Sequence, residues 1–146
     1  MAGLNTKMGD QVVIITGANN GIGFHMAVCL LKQQYRVAVF DLSGENLASV
    51  QDIDPDKLLF CRCDVTSDSD VKASTEAVVN KWGSIDVLVN NACLCVFKSF
   101  EQKDIEQTRQ EFDVNYFGYL RMIGAVFPYM KSRGRGSFTT SAPEWE

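Results

Sequence analysis

The stretch Gln11-Val12-Val13-Ile14-Ile15-Thr16-Gly17-Ala18-Asn19-Asn20-Gly21-Ile22-Gly23 decides the fold. Gln11 to Thr16 is a near-continuous run of β-branched residues, the pattern of a strand buried on both faces of a parallel sheet. Gly21 to Gln34 follows with Ile22, Met26, Val28, Cys29 and Leu30, which suits a helix largely covered by protein. The turn between them, Thr16 to Gly23, gives each glycine a task. Gly17 allows a tight turn, Gly21 lets a pyrophosphate approach the backbone, and Gly23 permits close packing of helix on strand. The start of that helix offers unpaired N–H groups and a partial positive charge. Gly17, Asn19, Asn20, Gly21, Ile22 and Gly23 are therefore the candidate dinucleotide-binding residues.

Working outward, Arg36 to Asp41 reads as a second strand, and a short helix runs from Glu45 to Val50 ahead of an Asp52 to Asp56 turn with Pro55. Lys57 to Asp64 reads as a third strand. Ser67 or Asp68 caps a helix reaching about Trp82, with Gly83 at its stop. Ile85 to Asn90 is a fourth strand, a long helix is predicted from about Gln102 to Lys131, and Gly134 to Thr140 supplies a fifth strand. Strands alternating with helices over short loops predict one α/β domain across residues 1–146. The expected fold is a Rossmann-type doubly wound parallel sheet of order 3-2-1-4-5. Asp41 ends the second strand eighteen residues beyond Gly23. That lies near the roughly twenty-residue offset at which a carboxylate accepts from the adenosine ribose hydroxyls. A carboxylate there repels a 2′-phosphate, and the turn carries no Lys or Arg, so NAD is favoured over NADP as cofactor.

Composition narrows the partners. The 146 residues are 46% hydrophobic and 22% charged with a net charge of −4, which gives no electrostatic footprint for nucleic acid or an anionic membrane. No apolar run approaches the roughly 18 residues of a membrane span. Met1 to Asp10 lacks the charged-then-apolar build of a secretion leader, so a cytoplasmic location is expected. Five cysteines, at 29, 61, 63, 93 and 95, include two Cys-x-Cys pairs of the kind that share a zinc. The expected strand order sets those pairs three strand spacings apart, about 14 Å. One metal cannot join them, and the sole histidine, His25, stands alone on the first helix. No metal site is expected.

Four segments, Thr16-Gly-Ala-Asn-Asn-Gly-Ile-Gly23, Cys63-Asp-Val-Thr66, Asn90-Asn-Ala-Cys93 and Asp113-Val-Asn115, resemble in order and spacing the motifs of the short-chain dehydrogenase/reductase family. The resemblance implies NAD(P)-dependent oxidation of alcohols or reduction of carbonyls. By it, Asp64 and Val65 flank the adenine, Asn91 borders the cofactor ribose, and Asn115 is the catalytic Asn of a proton relay. Cys93 replaces the glycine usual after Asn-Asn-Ala. Independently, Asn115 falls on the face of the long helix marked by Ile105, Thr108, Phe112, Tyr119, Ile123 and Val126, where a buried amide must find partners.

The family's proton donor is a Tyr with Lys four residues on, and none of Tyr35, Tyr116, Tyr119 or Tyr129 has one. Tyr129 and Arg133 share the spacing but precede the fifth strand, and Arg does not exchange protons as Lys does. Ser141 or Thr140 lies near the place of the family's substrate-orienting Ser, although counting puts Pro143 there. The expectation is a chain truncated before the Tyr/Lys pair, lacking the family's last strands. It binds NAD without turning over substrate. A non-catalytic nucleotide-binding or regulatory module, or a non-functional fragment, are the alternatives. An open fifth strand and an uncovered helix (Phe117, Leu120, Phe127) further predict a homodimer or larger homo-oligomer through the helix near 102–131.

Overall fold

Unbroken apolar runs leave a strand no polar face to show to water, so the first two strands come to lie inside the sheet. The computed structural model describes residues 9–50 and 52–141. The fold-deciding run is β1 (Val12–Thr16), with all five residues buried. β2 (Arg36–Asp41) flanks it on one side and β4 (Val87–Asn90) on the other, with β3 (Leu58–Arg62) and β5 (Ser137–Thr140) outermost. All pairings are parallel and the order is 3-2-1-4-5, as the alternation predicts. Val13 pairs with Val37 and Val87 at once, which fixes the central register.

Because side chains alternate along a strand, the two faces of the sheet build two cores. Val13, Ile15, Val37, Val39 and Val89 pack beneath α1 (Gly21–Lys32) through Ala27 and Leu31. Val12, Ile14, Phe40 and Leu88 pack on the other face against Val71 and Val78 of α2 (Asp68–Trp82). α2 starts and stops as its sequence dictates. The Ser67 side chain accepts from Asp70 N, and Gly83 closes the helix in the left-handed conformation at φ 76°. The short helix expected at Glu45 to Val50 is a 3-10 turn, Glu45–Ser49.

The long helix departs from expectation. It is three pieces: α3 (Ile105–Phe112), a π-helical segment (Asp113–Gly118) and α4 (Tyr119–Ser132), preceded by a 3-10 turn at Phe100–Gln102. A turn closed by i→i+5 bonds takes up one more residue than an α turn. A stripe read at constant spacing across it therefore drifts off the inner face. Ile105 and Phe112, expected inside, are 70% and 58% exposed; Val126 is buried as expected, and Glu111, Gly118, Met122 and Met130 are buried off the expected stripe. Two contacts hold the segment. A Cβ at Gly118 would stand 2.9 Å from Val65 Cγ2, so only glycine lets the helix lie this close. Arg121 Nη1 also reaches back to Asp113 Oδ1 at 2.7 Å.

Among the described residues β5 pairs only with β4, and its four residues are exposed. Arg133 is committed to the buried Asp86, at 3.0 Å, beside the start of β1, whose Val12 N also donates to Asp86. This pair sits at the end of the sheet opposite the glycine turn, so Tyr129 and Arg133 have no place near the cleft described below. Among the described residues, no helix is long and apolar enough to cross a membrane. Met1 to Met8, Pro143 and the closing Glu144 to Glu146 lie outside the described residues.

Candidate functional site

The carboxyl ends of β1, β2 and β4 converge on the glycine turn, the place where open parallel sheets hold ligands. Gly17 has φ +64°, and a Cβ there would lie 2.7 Å from Ala92 Cα. A Cβ at Gly23 would meet Gly17 O at 2.8 Å and Ala18 Cα at 3.0 Å. Nothing lies within 4 Å of a Cβ built at Gly21, so that part of the turn faces open space.

Side chains brace the turn from three sides. Thr16 Oγ1 accepts from the backbone N–H groups of Asn91 and Ala92, both at 3.0 Å. Asn91 Nδ2 donates to Thr16 O and Gly17 O, and its Oδ1 accepts from Ser141 Oγ at 2.9 Å. The Asn91 amide is thus spent on joining β1, β4 and Ser141. Asp41 Oδ2 accepts from Asn19 N at 2.9 Å, so the carboxylate that ends β2 is fixed against the turn itself. Asn46, which the sequence does not single out, completes the brace by bonding Asn19 through both backbone and side chain and by donating to Asn20 Oδ1.

A cleft of about 690 Å³ opens over this corner. It is lined by Gly17, Asn20, Ile22, Asp41, Asp64, Val65, Asn91 and Ser141 among the candidate residues, together with Leu42, Cys93 and Asp113. Asn19, Gly21, Gly23 and Asn115 do not line it. Asn19 is buried behind the turn. Asp64 Oδ1 is engaged by its own loop, accepting from Thr66 N and Thr66 Oγ1. Among the described residues, three carboxylates line the cleft (Asp41, Asp64 and Asp113) and no Lys, Arg or His does. An anion bound here must rely on backbone N–H groups and the helix dipole. α1 supplies them. Its N-cap, Asn20, makes no side-chain capping bond, and its first turn carries no acidic residue.

Asn115 lines a second cavity of about 420 Å³, which shares Cys93, Leu94 and Ser141 with the cleft. Neither burial nor its own helix satisfies the amide. Its Oδ1 accepts from Leu94 N and its Nδ2 donates to Leu94 O, both at 2.8 Å. Glu111, absent from the sequence reading, also lines this cavity, and its Oε1 accepts from Val96 N at 2.7 Å. The hydrogen bond from Lys103 and that from Val96 N hold the Glu111 carboxyl below its ordinary range. Burial raises the Cys93 thiol, with Cys95 and Glu111 adding to it, and burial likewise raises Tyr119. Cys63 is pushed up to about 11, chiefly by burial, so it packs in the core as a thiol.

Comparison with known proteins identifies the lineage. The short chain dehydrogenase family matches residues 11–141, and the chain belongs to that family. An uncharacterized oxidoreductase of Staphylococcus saprophyticus is 35% identical over 128 residues, covering 87% of this chain and 52% of its own. The 7alpha-hydroxysteroid dehydrogenase of Escherichia coli is 30% identical over 139 residues, covering 93% of this chain and 54% of its own. Among solved structures, the 3-ketoacyl-(acyl-carrier-protein) reductase of Brucella melitensis complexed with NADH superposes with TM-score 0.81 at 28% identity, over 88% of this chain and 53% of that one. A short-chain dehydrogenase of Streptomyces avermitilis gives 0.83 at 29%, over 90% and 48%. The chain spans about half the length of these relatives.

Proposed function

We propose that this chain is the dinucleotide-binding half of a short-chain oxidoreductase and that it binds NAD in preference to NADP. One observation carries the reading: a helix whose first-turn N–H groups are left uncapped opens into a cleft bordered, at the end of the neighbouring strand, by a carboxylate. When bound, the nicotinamide ring supplies or accepts a hydride. The chain's own residues bind and orient. The N–H groups at the start of α1 hold the pyrophosphate. Asp41, with two lone-pair directions taken by Asn19 N and Ser43 N, turns its remaining acceptor capacity to the ribose hydroxyls. Leu42 and Val65 wall the adenine, with Asp64 beside it. The relative solved with NADH supports the same ligand class for this fold.

Asn115 stands at the family's relay position, with its amide given to Leu94, and Ser141 offers a hydroxyl at the junction of the two cavities. With no Tyr followed four residues later by Lys in its sequence, this 146-residue chain is expected to show no turnover of secondary alcohols with NAD. Turnover without a longer chain would contradict that part of the reading.

Calorimetric titration with NADH and NADPH tests the proposal. NADH binds and NADPH binds more weakly. Asp41→Asn keeps an acceptor for Asn19 N but removes the charge, and it narrows the NADH preference by about 1–3 kcal/mol. Unchanged discrimination would retire Asp41 as the selector. The exposed apolar side chains Tyr116, Phe117, Leu120, Phe127 and Phe138 favour self-association through the α4 side of the molecule. Sedimentation at micromolar concentration tests this, and a clean monomer counts against it.

A further inference from the structure

Glu111 is a buried carboxylate, 9% exposed, that the dinucleotide reading does not use. It precedes Asn115 by four residues, and both side chains reach the loop that follows β4. Asn115 pairs with the N–H and C=O of Leu94, and Glu111 takes the N–H of Val96. From the far side, Lys103 Nζ closes on Glu111 Oε2 at 2.6 Å. The loop so latched is a partition. Cys93 and Leu94 line both the dinucleotide cleft and the second cavity, while Cys95, Lys103 and Glu111 line only the second.

We propose that Glu111 is a positioning residue: with Lys103, and through the backbone of Val96, it fixes the Cys93–Val96 partition against which the nicotinamide end of the dinucleotide rests. The inference rests on the dinucleotide reading above. With the pyrophosphate at the glycine turn and the adenosine at Asp41, the opposite end of the cleft is the stretch from Asn91 to Leu94 and Ser141. That end is the one Glu111 braces. The carboxylate is ionised at neutral pH because Lys103 and Val96 N both favour the charged form, so its two oxygens accept from both partners together. Removing it leaves a part-buried N–H and a part-buried ammonium to find new partners, which frees the partition to shift.

A simple tether between α3 and the loop would lower stability and leave ligand selection untouched. Two ligands separate the cases: NADH, and ADP-ribose, which carries the adenosine, the pyrophosphate and the second ribose without the nicotinamide ring. Both are titrated calorimetrically into the full chain and into Glu111→Gln, Glu111→Val and Lys103→Met. Glu111→Val is expected to weaken NADH by about tenfold or more while ADP-ribose changes by less than about twofold. Glu111→Gln, which keeps an acceptor for Val96 N, recovers part of the NADH loss. Lys103→Met reports on the same latch should Glu111→Val not fold. Equal weakening of both ligands, or of neither, overturns the role of Glu111 while leaving the cleft's assignment standing. A parent chain that binds neither ligand overturns the dinucleotide reading and this inference with it.

Discussion

The helices α1 and α2 both follow strands and both start near the sheet's carboxyl edge, yet they begin in opposite ways. α2 opens with Ser67, whose hydroxyl accepts from Asp70 N, and carries Asp68 and Asp70 in its first turn. Its orphan donors and its positive end are answered by its own side chains. α1 opens with Asn20, whose amide oxygen is drawn off by Asn46, and it has no acidic residue in its first turn. Its start lies at the cleft, with Asn20 and Ile22 in the lining. The difference separates a helix start closed by its own side chains from one that, in the proposed function, leaves its donors to a ligand.

The largest effect is expected at the bare start. Gly17→Ala adds a Cβ 2.7 Å from Ala92 Cα at a residue with φ +64°, combining left-handed strain with backbone overlap. A loss of roughly 2–5 kcal/mol is expected by denaturant unfolding, and a loss below 1 kcal/mol would show that the turn is looser than its geometry. At the closed start, Ser67→Ala removes a working cap and costs about 1 kcal/mol, whereas Asn20→Ala, with no cap to lose, stays within about 0.5 kcal/mol. Equal costs at the two sites would erase the contrast.

The acid limb of stability sharpens the picture at the partition. The Glu111 pKa is lowered in the folded chain from its ordinary 4.5. Its contribution is therefore fully present above that value and is lost as pH falls through the folded pKa. Glu111→Gln should show a shallower decline in stability below pH 4.5 than the parent, read from urea midpoints at stepped pH. Parallel curves would mean that the carboxylate titrates alike in the folded and unfolded chains.

Much of this was legible in the sequence for local reasons. The β-branched run of β1, the cap at Ser67, the stop at Gly83 and the glycines of the turn all act on their near neighbours, so their patterns carry the fold and the place of the cleft. The π segment was not legible. Its apolar spacing imitates an α-helix, and its causes are the fit of Gly118 on the distant Val65 and the pull of Arg121 on Asp113. The partners of Asn115 and Glu111 lie 21 and 15 residues away in a loop without periodicity, so no spacing rule points to them. Asn91 lines the cleft, and its commitment to Thr16, Gly17 and Ser141, which no local pattern shows, depends on β4 lying beside β1.

The contrast between the two helix starts is tested most directly at Ile22, which is 68% exposed at the mouth of α1. Ile22→Asp supplies the negative charge that this end lacks, and Ile22→Asn serves as its neutral control. If the end is reserved for a pyrophosphate, Ile22→Asp is more stable than Ile22→Asn by about 0.3–1 kcal/mol and binds NADH more weakly by about tenfold or more. Equal NADH affinity in the two variants would contradict the account.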